Sequence, residues 1–275
     1  MRIDEMTGLI YRQWEALPCR AVVLLIHGVG AHSGRWEFLA DFFLKNEISS
    51  YAIELKDFGE TNNLKGHKGS FNIYFEDIRN LQSIIRAENK GKPIFCAGES
   101  FGALIAFLMI KTKPDLFDGL ICISPAFSNR LRFSFLDYIS IFYFWFFNPG
   151  KQFKIPFNSG MLTRDVGYQK FMDSDSRERR TATAQFLINV LIAQIRGKLL
   201  RKRFNIPVFF LLPGRDQVVN SEVSRKVFKT LRAEDKTIIQ YADMFHALSI
   251  DSGRETVFED ILKWIEKRIN RKNAF

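Results

Sequence analysis

The chain runs to 275 residues, 47% hydrophobic and 25% charged, the composition of a globular protein of one domain with room for an insertion. Its three cysteines, Cys19, Cys96 and Cys122, are too few and too scattered for a disulfide framework, and no Cys/His spacing suits zinc, so neither metal nor organic cofactor is expected. A net charge of +10 draws the surface toward anionic partners without choosing among nucleic acid, an anionic lipid interface and acidic metabolites, and 28 Phe are a heavy load for an ordinary core.

The opening stretch, MRIDEMTGLIYRQWEAL, lacks the basic head and unbroken apolar run of a secretory signal, so a cytoplasmic protein is expected. Strands are predicted at AVVLLI (21–26), YAIEL (51–55), PIFCA (93–97), GLICIS (119–124), PVFFLL (207–212) and TIIQY (237–241). Their hydrophobicity is continuous rather than alternating, as in strands buried on both faces of a mostly parallel sheet. Between them, Phe71, Phe75, Ile78, Leu81 and Ile85 recur at helical spacing, as do Phe258, Ile261, Ile265 and Ile269 near the end. The fold class that follows is α/β, a mostly parallel sheet flanked by helices.

Alternation breaks after Pro125 and resumes at Pro207. The expected organisation is a core of residues 1–125 and 206–275 with a helical, Phe-rich cap of residues 126–205 inserted after the fourth predicted strand. The cap opens with RLRFSFLDYISIFYFWFF (130–147), in which nine aromatic residues fall between Phe133 and Phe147. Three uses are open to it: an acyl pocket, with Phe142 and Phe146 as candidate substrate contacts; the cap's own core; or docking on an anionic membrane surface, with Arg130, Arg132, Lys151 and Lys154 reaching for lipid phosphates. The run is too short for a transmembrane helix and contains Asp137. RGKLLRKRF (196–204) holds five basic residues in nine and reads as a solvated helix face. With no recognition module beside it, no nucleic-acid partner is expected. Nothing in the pattern specifies an oligomeric state.

The sharpest local signal is GESFGA at 98–103, between an apolar strand and an apolar helix. Gly98 and Gly102 flank Ser100 in G-x-S-x-G, a pattern whose strand-to-helix turn strains the serine backbone and projects its hydroxyl from the sheet edge. The N–H of Phe101, at the first turn of the helix, points to the same space. A serine hydroxyl needs a base, and only four histidines exist. His27, His32 and His67 lie before the elbow; His246, in YADMFHAL, follows the last predicted strand, where a serine, acid, histidine order puts the base. The acid belongs between them, just after a strand. Asp216 in VFFLLPGRDQVV meets that condition better than Asp243, which shares the loop of His246. HGVG (27–30) ends the first strand and can present the N–H of Val29 beside the elbow, so that Val29 and Phe101 form an oxyanion hole in which each donor is worth ~3 kcal/mol. His27 is then structural.

HGVGAHSGRW, GESFGA, ISPAF, LPGRDQVV and DMFHAL, in that order, resemble the monoacylglycerol lipase and lysophospholipase branch of the α/β-hydrolase family, from about Leu9 to Ile269. The resemblance implies Ser100 as nucleophile, Asp216 and His246 as its partners, Val29 and Phe101 as oxyanion donors, and hydrolysis of monoacylglycerols, lysophospholipids or similar acyl esters through an acyl-enzyme. Three departures stand out. Ala31 occupies a position usually acidic, although Arg35 keeps its place as a candidate substrate contact. DFGETNNLKGHKG (57–69) replaces the customary GHGxSxG, and Glu99 takes the place of a common histidine in the elbow. The same machinery serves amide or carbon–carbon hydrolysis and acyl transfer, and the fold also serves non-catalytic lipid binding.

Overall fold

The computed structural model describes residues 1–61, 71–199 and 203–272, so that His67 and the basic residues Arg201 and Lys202 lie outside the described residues. Eight strands form one sheet: β1 (Arg2–Asp4), β2 (Leu9–Trp14), β3 (Ala21–Ile26), β4 (Ile48–Ile53), β5 (Ile94–Glu99), β6 (Gly119–Ile123), β7 (Val208–Pro213) and β8 (Lys236–Tyr241), in the spatial order β1-β2-β4-β3-β5-β6-β7-β8. From β4 to β8 every neighbouring pair is parallel, while β2 is antiparallel to β1 and β4. The N-terminal pair is an addition to the sequence reading. Its short alternation, with Leu9 and Tyr11 buried between partly exposed neighbours, is the signature of an outer strand and lacks the continuous apolar run of the central ones. Strand β4 also begins earlier than expected, because Ser49 and Ser50 are buried in register with β3 although they read as polar.

Side chains alternate across each strand and so feed two layers. Val22, Leu24 and Ile26 pack with α2 (Asn72–Glu88) and α3 (Phe101–Thr112), whereas Ala21, Val23 and Leu25 pack with α1 (Glu37–Leu44) and the C-terminal helix (Arg254–Lys272). Ile78, Leu81 and Ile85 on one side and Ile261 and Ile265 on the other supply the seams their spacing predicts. Helix α3 is apolar all round because it lies between the sheet and the inserted segment, with Phe101 and Ala103 through Ile110 all buried.

Between β6 and β7 the chain leaves the sheet. It forms α4 (Phe135–Phe147), α5 (Ser159–Leu162), α6 (Val166–Ser174) and α7 (Ala184–Leu199), with a two-stranded ribbon pairing Gln152–Lys154 and Thr181–Thr183. Helix α4 starts at a capping box in which Ser134 and Asp137 satisfy each other's backbone N–H, which is the use the chain makes of the acid inside its aromatic run. Among the described residues no helix is long and apolar enough to cross a membrane. The carboxyl ends of the parallel strands open under the inserted segment, where ligands of open α/β sheets bind.

Candidate active site

Ser100 sits between the end of β5 and the start of α3 at φ +57° and ψ −113°, a conformation that costs ~1–3 kcal/mol and persists because its surroundings impose it. Its N–H donates to Ile123 O at 2.9 Å, and its carbonyl accepts from Leu104 and Ala126, both at 3.1 Å. The flanking glycines are needed for close approach. A Cβ on Gly102 would stand 2.1 Å from Ile26 O, and one on Gly98 would stand 2.5 Å from the backbone of Gly102. The turn therefore folds onto the end of β3 and back onto itself only without side chains at 98 and 102.

His246 lies 146 residues away in sequence, yet its Nε2 is 2.9 Å from Ser100 Oγ. Its Nδ1 is 2.8 Å from Asp216 Oδ2, and both side chains are almost wholly buried. A carboxylate can only accept, so Nδ1 carries the proton and Nε2 is left to accept from the serine hydroxyl. Asp216 is itself held by the N–H groups of Val218 and Val219, each donating to Oδ1 at 2.8 Å. Ser124, at the end of β6, donates to the backbone carbonyl of His246 at 2.6 Å. Burial pulls the imidazole down, but the charge and hydrogen bond of Asp216, with a further push from Glu99 and against Arg35, carry His246 above its ordinary value.

The other candidates are placed elsewhere. Asp243 turns to solvent and pairs with Arg215 at 2.7 Å, its side chain 68% exposed. Buried His27 accepts from Leu55 N at Nε2, 3.1 Å, and meets Gly28 O through Nδ1 at 2.9 Å; burial pushes it down to about 4. His32 accepts from Gly34 N at Nδ1 and is held down to about 3, first by burial and then by Arg177. Both rings are occupied in shaping the loop after β3.

A cleft of about 860 Å³, counting its open mouth, surrounds Ser100 and His246. Val29 and Phe101 stand on its wall beside the serine, and neither N–H is engaged by the turn, loop or cap bonds of the described residues. Its lining is mostly apolar, with Leu131, Phe133, Phe186, Leu187, Val190 and Val218 among it. Arg35 and Glu99 bring charge to the same lining. Arg35 is clasped by Glu178 of the inserted segment, its Nε donating to Oε1 at 2.9 Å and its Nη2 to Oε2, and both side chains are buried. Beside this clasp, Arg179 N donates to Gly30 O at 2.8 Å, fastening the inserted segment to the loop after β3.

Phe142 and Phe146 correct the sequence reading. They are 58% and 64% exposed, meet edge to face with ring centroids 5.5 Å apart, and are not among the residues that line the cleft. Helical phase explains it: Ile141 is the buried residue of α4, so positions one and five later face outward. The aromatic residues that line the cleft are instead Phe101, Phe133, Phe157 and Phe186. Sequence reasoning also missed Glu178, Ser124 and Ser249, ordinary polar residues without any motif. Ser249 donates its N–H and hydroxyl to the two oxygens of Glu99, at 3.0 and 2.8 Å.

Residues 18–253 match the family described as serine aminopeptidase, S33. Monoglyceride lipase of Mus musculus is 24% identical over 271 residues, 97% of this chain and 89% of the relative. Two solved structures are similar in fold. The monoacylglycerol lipase of Paleococcus ferrophilus gives a TM-score of 0.84 at 24% identity, over 94% of this chain and 99% of that one. A soluble variant of monoglyceride lipase from Saccharomyces cerevisiae, in complex with a substrate analog, gives 0.86 at 20% identity, over 97% and 94%.

Proposed function

The chain belongs to the serine aminopeptidase, S33 family of α/β-hydrolases, and from that premise we propose that it is a serine hydrolase of monoacyl lipid esters, monoacylglycerols and lysophospholipids among them. The observation that carries this reading is the hydrogen-bonded run from Ser100 through His246 to Asp216, opening into a mostly apolar cleft that Arg35 and Glu99 also line. In this reading an acyl chain lies against the apolar lining and the alcohol of the ester toward Arg35 and Glu99. The monoglyceride lipases among its relatives support the same substrate class.

In this reading Ser100 Oγ attacks the ester carbonyl carbon and passes its proton to His246 Nε2. The charge that develops on the carbonyl oxygen is held by the N–H groups of Val29 and Phe101, and the imidazolium by Asp216. As the tetrahedral species collapses, His246 returns the proton to the leaving alcohol and the acyl group stays on Ser100. Water then attacks the acyl-enzyme, giving its proton to His246, and the fatty acid leaves as Ser100 regains a proton. Arg35, neutralised by Glu178, shapes the alcohol site without adding net charge.

Residues 126–205 act in this scheme as a cap on a core of 1–125 and 206–275, lining the acyl site with Phe133, Phe186, Leu187 and Val190. The outward face of α4, with Phe135, Phe142, Phe146 and Phe147 exposed, is the surface that meets an anionic lipid interface, flanked by Arg130, Arg132, Lys151 and Lys154. The test of the function is covalent labelling by a fluorophosphonate together with turnover of a chain-length series of monoacylglycerols. Both are expected in the wild type and absent in Ser100→Ala; turnover that survives the substitution overturns the reading.

A further inference from the structure

Glu99 closes β5 immediately before Ser100, is only 5% exposed, and lines the same cleft as His246. Both of its oxygens are taken by Ser249, which follows His246 by three residues and is itself buried. One strand end therefore carries the nucleophile and holds the loop of the base. A buried carboxylate is expensive, and Ser249 could serve an uncharged amide as well, its N–H donating to the amide oxygen and its hydroxyl turning to accept from the amide nitrogen. The nearby cation, Arg35, is already committed to Glu178. Something other than local stability has to account for an acid at this position.

We propose, on the basis of the hydrolase reading above, that Glu99 is a positioning residue: its carboxylate braces the loop that carries His246 and places a second negative charge beside the imidazole. The groups that face His246 are Asp216 from the end of β7, Glu99 from β5, Ser100 from the elbow and Arg35 from the loop after β3. Glu99 in turn faces Ser249, His246 and Arg35, with Tyr168 of α6 within its field. Burial pushes the Glu99 carboxyl up, and the two Ser249 bonds, His246 and Arg35 hold it back. When His246 takes the serine proton, Glu99 stabilises the resulting cation by charge rather than by contact.

The experiment is the pH dependence of kcat and kcat/KM on one soluble ester for wild type, Glu99→Gln and Ser249→Ala. Glu99→Gln keeps an acceptor for Ser249 N–H and removes the charge, so the acid limb of kcat/KM moves to lower pH, and plateau kcat falls roughly tenfold with KM little changed. Ser249→Ala keeps the charge and removes one strut, so kcat falls while the limb stays at its wild-type position. If Glu99→Gln does not fold, Glu99→Asp carries the test: it retains the charge but not the reach, and should keep the limb while losing rate. Wild-type rates and an unmoved limb in Glu99→Gln, or in its absence a wild-type kcat in Glu99→Asp, overturn the proposal. A wild-type chain that neither turns over esters nor labels at Ser100 overturns the hydrolase reading and this proposal with it, whereas an active wild type beside an unchanged variant overturns only the role of Glu99.

Discussion

Asp216 lies 30 residues before His246 and reaches its ring at 2.8 Å, whereas Asp243, three residues before it, points to solvent and holds Arg215. The reason is that β7 and β8 are parallel neighbours. Their carboxyl ends lie side by side, so the loop after one faces the loop after the other. Asp216→Asn is therefore expected to lower kcat roughly ten-thousandfold, since an amide can donate to Nδ1 and favour the wrong tautomer. Asp243→Asn should leave it within about twofold, as an exposed ion pair contributes little. Steady-state hydrolysis of one ester by both variants checks the assignment.

The raised His246 predicts the form of the pH profile. Its Nε2 must be unprotonated to accept the proton of Ser100, so activity is lost as pH falls through the folded value. Because Asp216 and Glu99 outweigh burial, that value lies above the ordinary imidazole, and the acid limb of kcat/KM should lie above it too. His27 and His32, held down to about 4 and about 3, stay neutral over the same range and add no limb of their own. A limb at or below the ordinary imidazole value would contradict this account.

The apolar lining of the cleft should measure the acyl chain. Val190 on α7 contributes to its wall, so Val190→Trp is expected to take up acyl space and cut kcat/KM for long-chain monoacylglycerols at least tenfold while sparing short-chain esters. Chain-length profiles of the two proteins are the measurement. A uniform loss at every length would place the acyl group elsewhere.

Phe142 and Phe146 have no part in the cleft, and their exposure makes them the means of testing the lipid surface. Each stands to gain ~1–2 kcal/mol from insertion, so Phe142→Ser combined with Phe146→Ser should weaken sedimentation with anionic phosphatidylglycerol vesicles by about tenfold or more. Hydrolysis of a short soluble ester should be unaffected. Equal vesicle binding by both proteins would remove α4 from the interface.

The sheet, the elbow and the order of serine, acid and base are written locally. Continuous apolar runs mark strands buried on both faces, and GESFGA between a strand and a helix permits one backbone path, because side chains at 98 and 102 would collide with Ile26 and with the turn itself. Even the late position of His246 follows from chain order. The direction of a side chain on a helix apolar all round is different. Residues 135–147 carry no polar stripe to set the phase of α4, and only its packing against α7 decides that Ile141 is buried while Phe142 and Phe146 face out. In the same way, Glu99 acquires Ser249, and Arg35 acquires Glu178, only once residues 150 and 143 positions apart are brought together. Short-range pattern determined which atoms are available for chemistry. Long-range closure determined their neighbours, because burial, charge and hydrogen-bond partners at this site are supplied by strand ends and an inserted segment far apart along the chain.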